Sequence, residues 1–295
     1  MSTSKTIGNP ISVGLGAIGR GARSVEHGIE TLGSHDMTAA RVRRLTVTDL
    51  RRAMQAGVRD FSTMRTDVMF LVLIYPIIGV ALAGLAFNEA LVPLLFPIAA
   101  GFALVGPILS IGLYAMSRTR ELRGTANWFD AFAALRADTI VPLLAMAGYL
   151  GILFFLWLWT ADTIHGATMG GSYGALLPFL SDVLTTEAGW SMIVIGMGAG
   201  FVFACVALVT TFVAAPMLVD RKVGLPVAVS TSIRVARASP GVVLLWGFIV
   251  AMLLAIGSAP LFLGLIVVLP ILGHATWHLY RRAVRFDDME RDNRL

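Results

Sequence analysis

The sequence predicts an all-α membrane protein with six transmembrane helices, arranged as three parallel units with both termini in the cytoplasm. Three observations support this fold class: long uncharged apolar segments, basic residues confined to alternate connections, and a short recurring signature. The 295 residues are 57% hydrophobic and 14% charged, whereas soluble domains contain about 25% charged residues. This composition excludes a soluble enzyme, and the single cysteine excludes a disulfide-rich secreted protein.

Six segments are long and apolar enough for a helix to cross the hydrocarbon core, which takes about 20 residues. None of them contains Asp, Glu, Lys or Arg. They are residues 68–87, 90–116, 140–160, 190–216, 241–258 and 260–280. We therefore expect a membrane domain over residues 46–285, preceded by a flexible cytoplasmic arm (1–45) and followed by a cytoplasmic tail (286–295).

The basic residues predict the orientation. Ten Lys and Arg precede the first span, four lie between the second and third, four between the fourth and fifth, and five follow the sixth, which accounts for all 23. The positive-inside rule therefore places both termini in the cytoplasm. Since no aromatic residues are interleaved with these charges, we interpret them as partners of anionic lipid headgroups and not of nucleic acid.

A short signature precedes the first, third and fifth spans and indicates a threefold repeat. The signature residues are Arg65 and Asp67 in the first copy, Arg136 and Asp138 in the second, and Arg237 and Ser239 in the third. Apolar residues recur at helical spacing upstream of each copy, which predicts a cytoplasmic amphipathic helix. In the first copy this stripe is Leu50, Met54, Val58, Phe61 and Met64. Two hypotheses remain open: the helices lie among lipid headgroups, or they pack on the inner ends of the spans.

His274 and His278 are the candidate metal ligands. They are four residues apart at the cytoplasmic end of the sixth span, so both lie on one helix face. Imidazole is a common metal ligand, but no Cys, Asp or Glu occurs at comparable depth in another span to complete a site. The sequence therefore predicts headgroup anchors here, with no metal and no other cofactor.

The spans also lack the groups that carry chemistry in many membrane proteins. Ion-coupled transporters place carboxylates or basic groups near the bilayer midplane, and these spans contain none. No paired carboxylates, nucleophile–base set or phosphate-binding loop is recognisable in the sequence. We therefore expect neither an enzyme nor an ion-coupled transporter.

Two motifs resemble a bacterial family of six-span inner-membrane proteins, the domain of unknown function 2189. The first motif contains Gly106, Pro107, Gly112, Tyr114 and Arg118, and the second contains Pro216, Asp220 and Arg221. The resemblance extends over about residues 40–285 and implies a multi-pass protein of the bacterial inner membrane. Some members carry the label cytochrome c oxidase subunit I, which requires several intramembrane histidines. Only two of the five histidines here approach a span.

These observations predict a non-enzymatic inner-membrane protein that binds membrane lipids or a membrane-protein partner, with a role in assembly or in the envelope. Its expected lipid partners are anionic headgroups at the cytoplasmic face. The alternative is a channel or facilitator for a small apolar or weakly polar solute. A continuous cavity along the bundle favours the alternative, whereas a packed axis favours the binding protein.

Overall fold

The computed structural model describes residues 40–64, 77, 84, 88–134, 137–171, 174–260 and 262–286. These residues are helical apart from loops and one short pair of strands, so the predicted all-α class is confirmed. Of the first predicted span, 68–87, only Ile77 and Gly84 lie among them. The first span therefore stays a prediction.

The helices and strands below are given in chain order. They are β1 (Arg41–Val42), α1 (Val47–Thr63), α2 (Leu95–Leu109), α3 (Ile111–Arg123), α4 (Ala137–Met169), α5 (Leu176–Thr185), α6 (Glu187–Thr211), α7 (Ala214–Asp220), α8 (Leu225–Ala238), α9 (Pro240–Ser258), α10 (Leu265–Ala283) and β2 (Val284–Arg285). Two 3₁₀ helices, Glu89–Leu94 and Trp128–Ala134, precede α2 and α4.

Among the residues that the structure describes, three helical segments are long and apolar enough to cross a membrane. They are Thr139–Met169 in α4, Glu187–Asp220 across α6 and α7, and Pro240–Ser258 in α9. These segments coincide with the predicted third, fourth and fifth spans. Helix α4 runs well beyond residue 160 and ends only at Gly170 and Gly171, which both have a positive φ. Glycine adopts this conformation without steric cost and so terminates the helix.

The second predicted span, 90–116, is not one continuous helix. Helix α2 ends at Leu109 and α3 begins at Ile111, because Ser110 between them has φ −88° and ψ 0°. Pro107, which lies three residues before Ser110, lacks the amide hydrogen that a regular helix uses, and this weakens the helix near the break. Helix α10, which corresponds to the sixth predicted span (260–280), also begins later than predicted, at Leu265.

Helix α1 packs along α10, the last helix of the chain. The first turn of α1 is closed by a capping box in which Thr46 and Asp49 each accept a hydrogen bond from the other's backbone amide. A Cβ added at Gly57 would lie 2.7 Å from backbone atoms of Ala275 and Ile271. The glycine therefore allows the two helix backbones to approach closely.

The buried face of α1 differs from the predicted apolar stripe. Its buried residues include small and acidic side chains: Asp49, Leu50, Ala53, Ala56, Gly57 and Asp60. Met54 and Phe61 are half-buried, and Val58 is exposed. Leu50 and Met64 of the apolar stripe are buried, and the small residues beside them allow a short distance between the axes of α1 and α10.

The packed structure also begins and ends beyond the predicted limits of the membrane domain. Strand β1 pairs antiparallel with β2, with Val42 opposite Val284. Ala40, Leu45 and Phe286 are buried. Backbone contacts therefore connect residues 40–45 to the end of α10 and to Ser239, while the flexible arm before them stays a prediction.

Candidate functional site

Ionisable side chains from four helices meet at one end of the helix assembly, which we call the basic end. Helix α1, helix α3, the last residue of α7 and the second half of α10 contribute these side chains. They form two neighbouring groups, each centred on an aspartate. We describe the two groups in turn.

The first group, the Asp60 cluster, consists of Asp60, Ser117, Arg120, His274 and His278. Nε2 of His278 donates to Oδ2 of Asp60 at 2.9 Å, and Nη1 of Arg120 donates to Oδ1 at 2.8 Å. Oγ of Ser117 lies 2.6 Å from Nδ1 of His274. The same hydroxyl donates weakly to Asp60 at 3.4 Å. The cluster thereby joins α1, α3 and α10.

The environment of Asp60 favours its ionised form. Burial raises the pKa of this carboxyl, but the hydrogen bond from His278 and the nearby positive charges outweigh burial, so the pKa of Asp60 lies below its ordinary value. A buried carboxylate requires such partners because an uncompensated charge is costly away from water. Asp60 therefore acts here as a charged tie between helices.

The two histidines do not converge on a common ligand. His274 contacts Ser117, whereas His278 contacts Asp60. Within the described part of the chain, no group of three or more His, Cys, Asp or Glu side chains is placed to hold a metal ion. The headgroup-anchor interpretation was wrong for His274, which is 0% exposed, as is the neighbouring Tyr280. Packing of α1 and α3 against α10 covers this helix face.

The second group, the Asp220 cluster, consists of Arg118, Glu121, Asp220, Arg221, Trp277, Tyr280 and Arg281. At its centre, Tyr280 donates to Oδ2 of Asp220 at 2.7 Å, and Nε of Arg118 donates to Oδ1 at 3.1 Å. Nη1 of Arg281 lies 3.4 Å from Oδ2. This carboxylate therefore ties the end of α7 to both α3 and α10.

Arg281 links Asp220 to a second acid, Glu121 on α3. Its Nη2 donates to Oε1 of Glu121 at 2.7 Å, while Trp277 donates to Oε2 at 3.0 Å. Burial lowers the pKa of Arg281, but the hydrogen bond to Glu121 and the two negative charges raise it by more. The guanidinium therefore stays positively charged in this site.

A third acid, Asp49, fixes the start of α1. Its carboxylate lies 3.5 Å from Nη2 of Arg43 and 3.7 Å from Nη1 of Arg282. Burial raises the pKa of Asp49, but the hydrogen bonds from Thr46 and the charges of these two arginines together lower it by more. The pKa of Asp49 therefore lies below its ordinary value. Asp49 thus joins residues from both ends of the described chain.

The two motifs found in the sequence meet in the Asp220 cluster. Arg118 belongs to the first motif and Asp220 to the second, and they form an ion pair. Arg221 of the second motif stacks over the ring of Phe286, with its Cζ 4.3 Å from the centroid. The shared role of these motif residues is to connect α3, α7 and α10.

The remaining motif residues have packing roles. Pro216 is buried in α7. A Cβ added at Gly112 would lie 3.1 Å from that of Ala131, so Gly112 brings α3 against the second 3₁₀ helix. Gly106, Pro107 and Tyr114 line a groove, described below.

The repeat residues are not brought together in the part of the chain that is described. Arg65, Asp67 and Arg136 lie outside it, as does the side chain of Asp138. In the third copy, Arg237 is exposed in the last turn of α8. Its neighbour Ser239 is buried and accepts a hydrogen bond from the amide of Leu45 at 2.8 Å. Ser239 therefore holds the segment that leads into α1.

An apolar groove of about 580 Å³ lies between α2, α6, α9 and α10, with Tyr114 of α3 at one end. We call it the apolar groove. Among the described residues that line it, none is charged. Its walls are formed by large apolar side chains such as Leu104, Phe201 and Phe248, together with Gly106 and Cys205.

Several residues of these clusters have only weak signals in the sequence. Asp60, Ser117, Arg120 and Glu121 were not candidates, because each looks like an ordinary polar residue beside a span. One signal was available for Asp60: it is adjacent to Phe61 of the apolar stripe, where an acid is unexpected in a helix rich in arginine. The buried partner that explains it, His278, lies 218 residues away.

The long apolar helices and the buried ion pairs at one end define an α-helical integral membrane protein. Residues 94–220 match the model of a protein family described as "Predicted integral membrane protein (DUF2189)", which confirms the resemblance carried by the two motifs. This range is narrower than residues 40–285 but contains both motifs except Arg221. No curated protein and no solved structure matches the chain.

Proposed function

We propose that this is a six-span protein of the bacterial inner membrane, with both termini in the cytoplasm, that binds anionic lipid headgroups through the outer face of α1. In this proposal the protein catalyses no reaction, and its polar clusters hold the helices together. The observation that carries the proposal is the division of α1 into an acidic buried face and a basic exposed face.

The exposed face of α1 has the chemistry of a headgroup-binding surface. Arg51, Arg52 and Arg59 are exposed, while Asp49 and Asp60 point inward to their ion-pair partners. The partly exposed Met54 and Val58 lie beside Arg59 on a shallow apolar patch. Each arginine near an anionic membrane surface contributes about 1 kcal/mol, an attraction that salt screens.

The positions of the basic residues support the proposed topology. Arginines from α3 and α10, and from the segments beside β1 and α7, all lie at the basic end, although long apolar helices separate them in sequence. Residues that share one side of the membrane are expected to meet in this way. The arrangement agrees with the positive-inside rule applied to the connections.

The two hypotheses for the amphipathic helix are compatible for α1, because they concern opposite faces. Its inner face packs on α10 through Gly57 and Ala53, which supports the docking hypothesis. Its outer face retains the arginines and the patch around Val58 for lipid. Lipid binding by α1 therefore requires no rearrangement of its packing.

Native mass spectrometry of the full-length protein, released from mixed phosphatidylglycerol and phosphatidylcholine micelles, tests this proposal. We expect the wild type to retain phosphatidylglycerol in preference to phosphatidylcholine. The triple variant Arg51→Gln, Arg52→Gln, Arg59→Gln should lose this preference by about a hundredfold at low salt, since the three arginines together contribute about 3 kcal/mol. The matched control Arg123→Gln with Arg237→Gln removes exposed arginines elsewhere at the basic end and should lose much less.

An equal loss in both variants would mean that only net charge matters and would contradict a specific role of α1. A channel or facilitator makes a different prediction: reconstituted protein should accelerate the passage of a small uncharged solute into vesicles. If it does so, and the triple variant retains its lipid preference, the transport hypothesis replaces the proposal made here.

A further inference from the structure

We propose that the apolar groove binds one acyl chain of a phospholipid from the cytoplasmic leaflet, with the lipid phosphate at the basic end. This inference rests on the proposed membrane orientation but not on lipid binding by α1. It assigns a ligand of stated chemistry to a groove in which the first sequence motif supplies Gly106, Pro107 and Tyr114.

The lining of the groove selects an apolar ligand. The hydroxyls of Thr211 and Thr276 already donate to carbonyls of their own helices, at Ala207 and Leu272, each at 2.7 Å. A polar or charged solute would lose its water there without gaining equivalent hydrogen bonds. A hydrocarbon chain loses no hydrogen bonds on entering such a groove and replaces contacts with other chains by contacts with the walls.

The dimensions of the groove correspond to one leaflet. Helix α6 lines it from Phe201 to Thr211, which is about 15 Å at 1.5 Å per residue. The hydrocarbon core is about 30 Å thick, so each leaflet contributes about half of this depth. The volume of about 580 Å³ is within the range of roughly 300–1,000 Å³ that is usual for ligand sites. A groove of this length holds a chain but does not cross the membrane.

The open side of the groove faces the surroundings of the apolar helices. Phe201 on α6 and Phe248 on α9 form part of its rim and are 63% and 62% exposed. Both helices lie in candidate membrane spans. Acyl chains therefore surround this opening in the membrane, whereas a solute from water would first have to enter the hydrocarbon.

The charge at one end of the groove suits a phosphate. Tyr114 and Thr276 lie at this end, and one turn further along the same helix faces are Arg118 and Tyr280 of the Asp220 cluster. The cluster contains the partly exposed guanidinium groups of Arg118, Arg221 and Arg281. Guanidinium groups bind phosphate oxygens well, so their position at the end of an apolar groove suits a phosphodiester.

Photocrosslinking of the full-length protein in nanodiscs tests the inference. The probe is a phosphatidylglycerol with a diazirine midway along one acyl chain, in a phosphatidylcholine background. After irradiation, peptide mass spectrometry should find label at Cys205 and Ala251, which line the groove. The amount of label at these two positions should be about fivefold greater than at the outward-facing Val202 and Met252 of the same helices. Val202 and Met252 report the labelling by annular lipid alone.

A filling substitution provides the matched comparison. Gly106 lines the groove, and a Cβ added there meets no described atom within 4 Å, so Gly106→Leu is the substitution chosen to fill the groove. It should reduce groove label about fivefold and leave Val202 and Met252 unchanged. Gly196→Leu, at an equally open helical glycine outside the groove lining, should change neither. If Gly106→Leu fails to fold, Ala251→Leu fills the opposite wall.

Equal labelling of groove and outward positions would show annular lipid only and overturn the inference. A bifunctional thiol reagent that joins Cys205 to a cysteine introduced at Ile77 would show instead that the chain's own segment fills the groove. Joining Cys205 to Cys205 of a second molecule would assign it to a dimer contact. The α1 triple variant should leave groove labelling unchanged, so failure of the headgroup proposal remains distinguishable from failure of this one.

Discussion

The Asp60 cluster and the Asp220 cluster each place an aspartate between α3 and α10, but they surround it with different partners. Asp60 is bonded to Arg120 and to an imidazole, whereas Asp220 is bonded to arginines and a tyrosine hydroxyl. Arg118 of α3 and Arg281 of α10 connect α3, α7 and α10 around Asp220, whereas α1 is attached around Asp60 by Arg120 of α3 and His278 of α10.

The largest effect concerns topology, since both clusters have to lie on the cytoplasmic side for this comparison to hold. A reporter that is active only in the cytoplasm should be active when fused after Met289, and one active only outside should report from Gly170. The expectation follows from the Lys and Arg distribution. The reverse pattern would place both clusters outside the cytoplasm.

Asp220→Asn should be the most destabilising single change in the two clusters. It removes the charge that compensates Arg118 and Arg281 and should lower the free energy of unfolding by about 2–4 kcal/mol. Titration with dodecyl sulfate in mixed micelles measures this. Asp182→Asn, at an exposed acid on α5, is the control and should have little effect. A loss no greater than that of the control would show that the cluster does not hold the helices.

Asp60→Asn should cost less, about 1–3 kcal/mol, and should also change the pH dependence of stability. The folded pKa of Asp60 is lowered, so its ionised form stabilises the fold above the pKa of an unfolded aspartate, about 3.9. This stabilisation is lost as the pH falls through the folded pKa. Melting temperatures measured from pH 6 to pH 3 should therefore fall less steeply in the variant.

Asp49 also has a lowered pKa, so part of the acid sensitivity should persist in Asp60→Asn. The double variant Asp60→Asn with Asp49→Asn should lose most of the acid sensitivity that remains in the single variant. If the single variant has the same acid profile as the wild type, the ionised state of Asp60 contributes nothing to the fold.

His278→Gln should have the smallest effect, about 0.5–1.5 kcal/mol, since it removes one hydrogen bond to Asp60 while Arg120 remains. Combined with His274→Gln, it should leave the metal and haem content of the purified protein unchanged. Elemental analysis and the visible absorption spectrum measure this content. A metal or haem present in the wild type and lost in the double variant would assign these histidines to a cofactor site.

The sequence was informative about the elements whose signal is local. Uncharged apolar runs predicted the helices α4, α6 and α9, and the amphipathic pattern predicted α1 to within a few residues. The interruption at Ser110 was missed, because the apolar run continues through it and prolines are common in membrane helices.

The contacts of the candidate site depend on pairs that are distant in the chain. Arg118 and Asp220 were each recognised as motif residues, but nothing in either motif indicates that they form an ion pair. His274 and His278 were assessed as a pair because they are near in sequence, yet their partners lie on different helices. Helix packing determines which of these side chains meet and become buried. Composition and periodicity do not predict such contacts for individual residues.

The contact between α1 and α10 has a consequence for biosynthesis. The face of α1 that carries Gly57 and Asp60 is covered by α10, which is synthesised about 200 residues later. At synthesis rates of about 5–20 residues per second, the delay between the two helices is roughly 10–40 s. During this interval α1 has to persist beside the ribosome without its partner, and its capping box and arginines favour a soluble helix. A protease should therefore cleave α1 in stalled chains that end before Leu265. The same protease should leave α1 intact in the finished protein.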